Sequence, residues 1–290
     1  MTESFDADWL ELREPADARA RSIALALALS RALPARPRLL DLGAGTGSLF
    51  RWLAPILNRP QAWTLVDADV TLIEFAFDTI ADRAVSVGFE VSAPNKRTLL
   101  VHTPSGAWRV DGLVRDLADA PDGLPLDRAD AVACTALCDL VSRPWVARMA
   151  GALRLPFYSA LNVVGSARFL PPHPADGTVA RGFERDQGRD KGFAGRALGA
   201  GATRAMAAAF RTEGFVVRTA PSPWRIGASE TRMLTQLASG HASAALARAP
   251  RARRAIQGWA TARTAQARRG TLRAIVGHAD LLALPPARAR

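Results

Sequence analysis

Cysteine, tyrosine, histidine and lysine are all scarce in this chain of 290 residues. It has two cysteines, one tyrosine and four histidines, and its lysines are Lys96 and Lys191. Cys134 and Cys138 cannot build a disulfide framework, which suits a reducing compartment. They lie four apart with no histidine nearby, so a zinc site is not expected. His102, His173, His241 and His278 show no metal-ligand spacing, and no metal is expected anywhere. Long apolar runs are missing too. The run from Ile23 to Leu29 is far shorter than the ~20 residues a bilayer requires. Glu3, Asp6, Asp8 and Glu11 precede it where a signal peptide carries basic residues. The expectation is a cytoplasmic protein without a membrane partner.

What the chain has in abundance is arginine, alanine and apolar residues. Hydrophobic residues make up 49%, enough for a sizeable core. The formal charge is +11 and the isoelectric point about 11.2. Such a charge attracts polyanions. Yet arginine is spread along the whole chain beside alanine, as a compositional bias spreads it. It is densest between Ala247 and Arg273, where Trp259 is the one interleaved aromatic. Nucleic acid is therefore a possible partner and not the favoured one. No internal repeat is visible.

Periodicity and punctuation predict alternating elements. Residues 9–33 read as a helix that Pro34 ends. Strands are expected at 38–42 and 62–66, with a helix at 48–57 between them. Ile73, Phe77, Ile80, Ala84 and Val87 share one face of a further helix. Residues 98–102 and 107–114 flank a turn and form a hairpin. Strands follow at 129–137 and 156–164, around a helix at 144–153. Residues 169–195 are rich in proline, glycine and charge, and read as a long polar connection. A helix at 200–213, a strand at 215–218, helices at 229–249 and 251–269, and a last strand at 271–284 complete the chain. Alternation of this kind argues for a parallel, doubly wound α/β sheet.

The strand at 38–42 feeds Asp41-Leu42-Gly43-Ala44-Gly45-Thr46-Gly47 and then a helix. Glycines permit tight turns and close ligand approach. The helix start offers unpaired N–H groups and partial positive charge, which suit a phosphate or a carboxylate. The dinucleotide pattern needs glycine or alanine where Ser48 stands. The phosphate-binding loop of nucleotide hydrolases needs a Lys-Ser or Lys-Thr pair that is missing here.

The segment from Leu39 to Gly47 resembles motif I of the class I methyltransferases that use S-adenosylmethionine (SAM). The resemblance extends in order to Asp67 and Ala68 after the second strand. Asp116 and Leu117 follow the third, and the fourth-strand segment Ala129 to Leu137 carries Thr135. It covers about residues 35–220. It implies a Rossmann-like, seven-stranded sheet, mostly parallel with an antiparallel last strand, plus an N-terminal helix and helical insertions. The cofactor it implies is SAM, held by Asp41, Gly43, Ala44, Gly45, Thr46 and Gly47 at the loop, Asp67 and Ala68 at the ribose, and Asp116, Leu117 and Thr135 around the adenine and the methyl. A methyl on a sulfonium is already activated, so alignment supplies much of the rate.

On this reading the chain is one domain, 1–290. Residues 1–34 form a helical cap, 35–164 the cofactor-binding core and 165–196 a lid. Residues 197–290 form a C-terminal part with a helical insertion at 229–269. Three groups of residues could meet an acceptor. The first helix carries Trp9, Arg13, Asp17, Arg19 and Arg21. The polar connection carries His173, Arg189, Asp190 and Lys191. Thr135, Asp139, Asn162 and Trp224 lie near strand ends. Asp139 and Lys191 are the catalytic candidates, with Arg13, His173, Arg189, Asp190, Lys191 and Asn162 as substrate ligands. The Asn/Asp-Pro-Pro-Tyr/Phe signature of amino-group methyltransferases acting on nucleic acids is absent, as is the Pro-Cys pair of cytosine-C5 enzymes. The favoured function is methyl transfer to a small-molecule acceptor by direct displacement. Methylation of RNA or the ribosome, a non-catalytic SAM-binding protein and a nucleotide-dependent oxidoreductase stay open. The oligomeric state is unknown.

Overall fold

The computed structural model describes residues 6–286. Glu3, the outer residues of the N-terminal cap and the end of the C-terminal part lie outside the described residues. The strands are β1 (Arg38–Leu42), β2 (Gln61–Asp67), β3 (Glu90–Asn95), β4 (Thr98–Thr103), β5 (Gly106–Val114), β6 (Ala131–Thr135), β7 (Phe157–Val163), β8 (Arg168–Leu170), β9 (Val216–Pro221), β10 (Trp224–Ile226), β11 (Arg273–Val276) and β12 (His278–Leu284). The helices are α1 (Ala7–Ala20), α2 (Ile23–Ala32), α3 (Ser48–Leu57), α4 (Val70–Ser86), α5 (Arg143–Ala152), α6 (Asp176–Gln187), α7 (Ala202–Thr212), α8 (Thr231–Arg248) and α9 (Arg253–Arg268).

The main sheet runs β3-β4-β5-β2-β1-β6-β7-β12-β9. From β5 to β7 every pairing is parallel, and β12 lies antiparallel between β7 and β9. Near-continuous burial along β1, β6 and β7 is what a parallel sheet covered on both faces demands. The fold is a Rossmann-like α/β fold, and the seven strands from β5 to β9 are the expected arrangement. The count expected for the whole sheet was seven; it is nine, because β4 and β3 extend the edge beyond β5. β4 is the first arm of the expected hairpin. β3 is almost wholly exposed, and with only Val91 half-buried and Pro94 in its run it gives little alternation to announce it. Strand order reverses around β1, between β2 and β6, and the carboxyl ends there open a crevice.

Three other expectations need correction. The stretch 9–33 is two helices. Arg21 leaves the helical region at ψ 141°, and the Ser22 side chain caps α2 by accepting from Leu25 N–H at 3.3 Å. The stretch 169–195 is not structureless, since it holds α6. That helix has a thin apolar strip, Val179, Gly182 and Phe183, with charge elsewhere, so its period is weak. A Cβ on Gly182 would lie 2.7 Å from Ala245 Cα, and that close approach presses α6 onto α8. The stretch 271–284 is two strands in different sheets, parted at Gly277. β11 joins β10 and β8 in a small antiparallel sheet. This sheet packs with α6, α8 and α9 into a separate apolar core that also receives Ala16 of α1.

One carboxylate ties the N-terminal helices to the main sheet. Asp280, fully buried in β12, accepts from Ser22 N–H at 2.7 Å, Leu161 N–H at 2.8 Å and the Ser222 hydroxyl at 2.5 Å. Removing it strands buried donors, each costing roughly 1–3 kcal/mol. Asp280→Ala is expected to lower unfolding free energy by about 3 kcal/mol in urea titration. A loss below about 1 kcal/mol would show that the donors find other partners.

Candidate functional site

The loop after β1 turns on three glycines in the left-handed region: Gly43 at φ 63°, Gly45 at 53° and Gly47 at 77°. An L side chain is strained there. It is also crowded, because a Cβ on Gly45 would sit 3.2 Å from Leu10 Cδ1 of α1. The N-terminal helix thus lies directly over the loop. Ala44 N–H donates to Val66 O at 3.0 Å, and Gly45 N–H to Asp67 Oδ2 at 2.8 Å. Burial raises Asp67 above the ordinary carboxylate range, and the N–H groups of Asp69 and Gly45 partly offset this.

A cavity of about 480 Å³ occupies the crevice. Its wall includes Gly43, Ala44, Gly45, Thr46, Asp67, Ala68, Asp116, Leu117 and Thr135, which is most of the expected cofactor set. Arg13 and Lys191 also line it. Asp41 and Gly47 do not. The Asp41 carboxyl is fully buried behind the loop without a hydrogen-bond partner, and burial pushes its pKa up to about 8. Its carboxyl is therefore mostly neutral at pH 7. Gly47 turns the chain into α3, where a Cβ would meet Ala76 at 3.2 Å.

Arg21 holds the loop and the cap together. Its fully buried guanidinium donates to Ser48 Oγ at 3.0 Å and Thr135 Oγ1 at 3.2 Å, with Asp17 at 3.9 Å. Asp17 also accepts from Arg13 at 3.0 Å and from Trp224 Nε1 at 2.9 Å. The Arg13 guanidinium lies over the Trp224 ring, 4.7 Å from its centre.

A second cavity of about 870 Å³ adjoins the first. Arg13, Ala136, Leu140 and Lys191 line both. Asp139, buried, lines the second near this junction. Lys191, also buried, donates to Gln187 Oε1 of α6 at 3.2 Å. Ala136 takes φ 50°, which ends β6 one residue past Thr135 and turns the backbone at the junction.

Four expected substrate ligands lie elsewhere. Asn162 is buried in β7, where Nδ2 donates to Ala279 O at 2.9 Å and Oδ1 accepts from Ser159 Oγ at 2.8 Å. It fastens an irregular stretch in which Leu161 takes φ 56°. His173 shapes the turn before α6 and accepts from Ala175 N–H at 3.1 Å. Arg189 pairs with Asp186 at 3.4 Å. Asp190, exposed, accepts from Gly192 N–H at 2.8 Å. These last two shape the turn that carries Lys191 inward. The second cavity's aromatic wall is the feature that sequence reasoning missed, apart from naming Trp9 and Trp224. It is assembled from α1, α6, α8 and the two sheets, and no local motif encodes it.

No family model matches the chain, and no curated protein does. Solved structures are similar to it at low identity. A Galdieria sulphuraria protein described as a sarcosine dimethylglycine methyltransferase is 12% identical, with a TM-score of 0.45 over 91% of this chain and 84% of that one. The YcgJ protein from Bacillus subtilis is 15% identical, with a TM-score of 0.48 over 91% and 98%. The geranyl diphosphate C-methyltransferase from Streptomyces coelicolor, in complex with Mg2+, geranyl diphosphate and S-adenosyl-L-homocysteine, is 10% identical, with a TM-score of 0.42 over 90% and 77%. Among the described residues, no helix is long and apolar enough to cross a membrane.

Two buried histidines on the second cavity's wall make stability sensitive to acid. Burial lowers His241 to about 4 and His278 to about 3. Each is neutral in the fold and takes up a proton on unfolding below about 6.5. Their contribution is present above pH 6.5 and is lost as pH falls toward the folded values. Asp41 acts oppositely, since it keeps its proton up to about 8 in the fold and so costs stability as pH rises. His241→Phe cancels one histidine and leaves the other groups alike. Between pH 6.5 and 4, its stability should fall less steeply than the wild type's, by up to about 1.4 kcal/mol per pH unit. Parallel curves in denaturant titration would show that His241 titrates alike in the folded and unfolded states.

Proposed function

We propose that this chain is a SAM-dependent methyltransferase whose acceptor is a small molecule. The observation that carries the reading is the charge of the first cavity. Asp17, Asp67, Asp69 and Asp116 line it against Arg13 and Lys191, and Arg13 is spent on Asp17. Such a wall repels the phosphates of a dinucleotide. It suits a cofactor with a sulfonium cation and no phosphate. The Asp67 carboxylate, at the end of β2 and facing the loop, suits a vicinal diol, because both oxygens accept and charge strengthens both bonds.

SAM supplies an activated methyl group. The residues of this chain position the partners. Asp67 and Asp116 would hold the ribose and adenine ends, and the start of α3 would receive the carboxylate, because the N–H groups of Ala44, Gly45 and Gly47 are already bonded within the protein. Ala136, which lines both cavities, marks where a bound methyl donor and an acceptor would meet. The second cavity holds the acceptor there. Asp139 accepts the acceptor's proton or orients its nucleophilic atom, and Lys191 closes the junction from the α6 side. A junction closed by buried side chains limits water at the reacting atoms. The second cavity is bounded by helices and by a small sheet, which favours a compact acceptor over a nucleic-acid strand.

Asp67→Ala is expected to weaken SAM binding by roughly 1–3 kcal/mol in equilibrium dialysis. Unchanged affinity would remove Asp67 from the cofactor site. Asp139→Asn is expected to leave SAM affinity unchanged and to cut methyl transfer by about 10²-fold, the scale of a lost general base. Undiminished turnover would remove Asp139 from the reaction.

A further inference from the structure

The small sheet turns one face outward, and that face carries arginines set around apolar side chains. Phe169, Trp224, Ile226, Ala274 and Val276 point inward, into the core shared with α6, α8 and α9. Alternation along the strands puts Arg168, Leu170, Arg225, Arg273 and Ile275 on the opposite face. The register sets Ile275 opposite both Arg225 and Arg168, and Arg273 opposite Leu170. Arg168 and Arg225 thus stand about 10 Å apart across Ile275, with Arg273 about 7 Å along β11 from it. All three arginines are exposed. Among the described residues, none of their guanidinium groups has an ion-pair or hydrogen-bond partner.

The surrounding sequence sharpens this charge. The chain has 27 acidic residues, yet none lies between Glu230 and Asp280, where every charged residue is an arginine. An even spread would put about four or five acids there. A general bias toward arginine adds cations; it does not clear the acids from one part of a fold. Three cations within about a Debye length of one another add their fields, and the face attracts anions. Arginine's planar fork takes a carboxylate or a phosphate through two bonds. Ile275 and Leu170, half-buried between the arginines, decide which. A protein interface joins an apolar centre to arginine and a polar rim. A nucleic-acid backbone offers those two side chains nothing apolar, and this face holds no aromatic ring for a base to stack on. Apolar side chains so recessed do not enter a bilayer.

We propose that the outer face of the small sheet docks an acidic protein segment. Its carboxylates meet Arg168, Arg225 and Arg273, and an apolar side chain between them packs on Ile275 and Leu170. The opposite face of the same sheet walls the second cavity through Trp224 and Val276. The partner therefore sits one sheet thickness from that cavity, on its outer side. Docking at this face is independent of what the two cavities bind.

The test uses the full chain and two labelled peptides of equal charge: three repeats of Glu-Glu-Leu, and three repeats of Glu-Glu-Ser. Fluorescence anisotropy follows binding at low salt and at about 0.15 M. The leucine peptide is expected to bind at least about fivefold more tightly than the serine peptide, and salt should weaken both. R168E/R225E/R273E should weaken the leucine peptide at least about tenfold. R251E/R253E/R254E reverses three exposed charges around the start of α9 and should leave its affinity within about twofold. Ile275→Ser should bring the leucine peptide down to the serine peptide's affinity, which gives a second readout if the first triple variant unfolds. A single-stranded RNA of equal charge and phosphatidylserine vesicles complete the set. Equal losses in the two triple variants, tighter binding of the RNA or the vesicles, or no binding of the leucine peptide would overturn the proposal.

Discussion

A guanidinium buried away from water needs partners where it lies, and Arg21 finds them for both terminal nitrogens while its Nε stays without one. A charged group removed from water is costly unless it is paired and hydrogen-bonded. Arg21 finds Ser48 at the start of α3, Thr135 at the end of β6 and Asp17 on α1. Those three contacts join the glycine loop, the fourth parallel strand and the N-terminal cap. The break between α1 and α2 falls at the same residue, and the next one, Ser22, is tied to Asp280. The cap can cover the loop only because the chain turns sharply there. Asp17 carries the link outward to Arg13 and Trp224, which begin the second cavity.

Charge then separates the two cavities by task. Behind the loop, burial keeps Asp41 largely protonated, so it adds little charge beneath a ligand. Asp67 and Asp116 stand on the first cavity's wall with few cations near them. The second cavity is lined mainly by rings and neutral imidazoles, with Arg13, Asp139 and Lys191 at the junction. On the proposed reading, cofactor and acceptor occupy different ends of one crevice. Direct displacement requires the two to meet in line, and the junction at Ala136 is where the walls meet.

Strong local signals made the parallel core legible in the sequence. The glycine loop, the acids at the strand ends and the period of α4 are each encoded within a few residues, although Val87, expected on the apolar face of α4, lies past its end and is exposed. Failures came where long-range contacts overrode weak local patterns. β3 is exposed at every position but Val91 and pairs only because β4 offers an edge. α6 is held by contact between Gly182 and Ala245, which a charged and glycine-containing sequence conceals. The run 271–284 is mostly apolar, with Arg273, His278 and Asp280 set into it, and only Gly277 marks its change of sheet. Among site residues the same division holds. Gly43, Asp67 and Asp116 follow from motif and spacing. Asn162 and His173 are polar residues with internal partners, and sequence alone cannot distinguish such residues from ligands. The aromatic wall draws on five elements far apart in the chain.

The central claim is that the crevice above β1 selects SAM over phosphate-bearing cofactors. Calorimetric titration of the wild-type protein with SAM, and separately with NAD, tests it most directly. The account predicts a saturable one-to-one isotherm for SAM and no measurable heat for NAD. Binding of NAD, or the absence of any SAM binding, would contradict it.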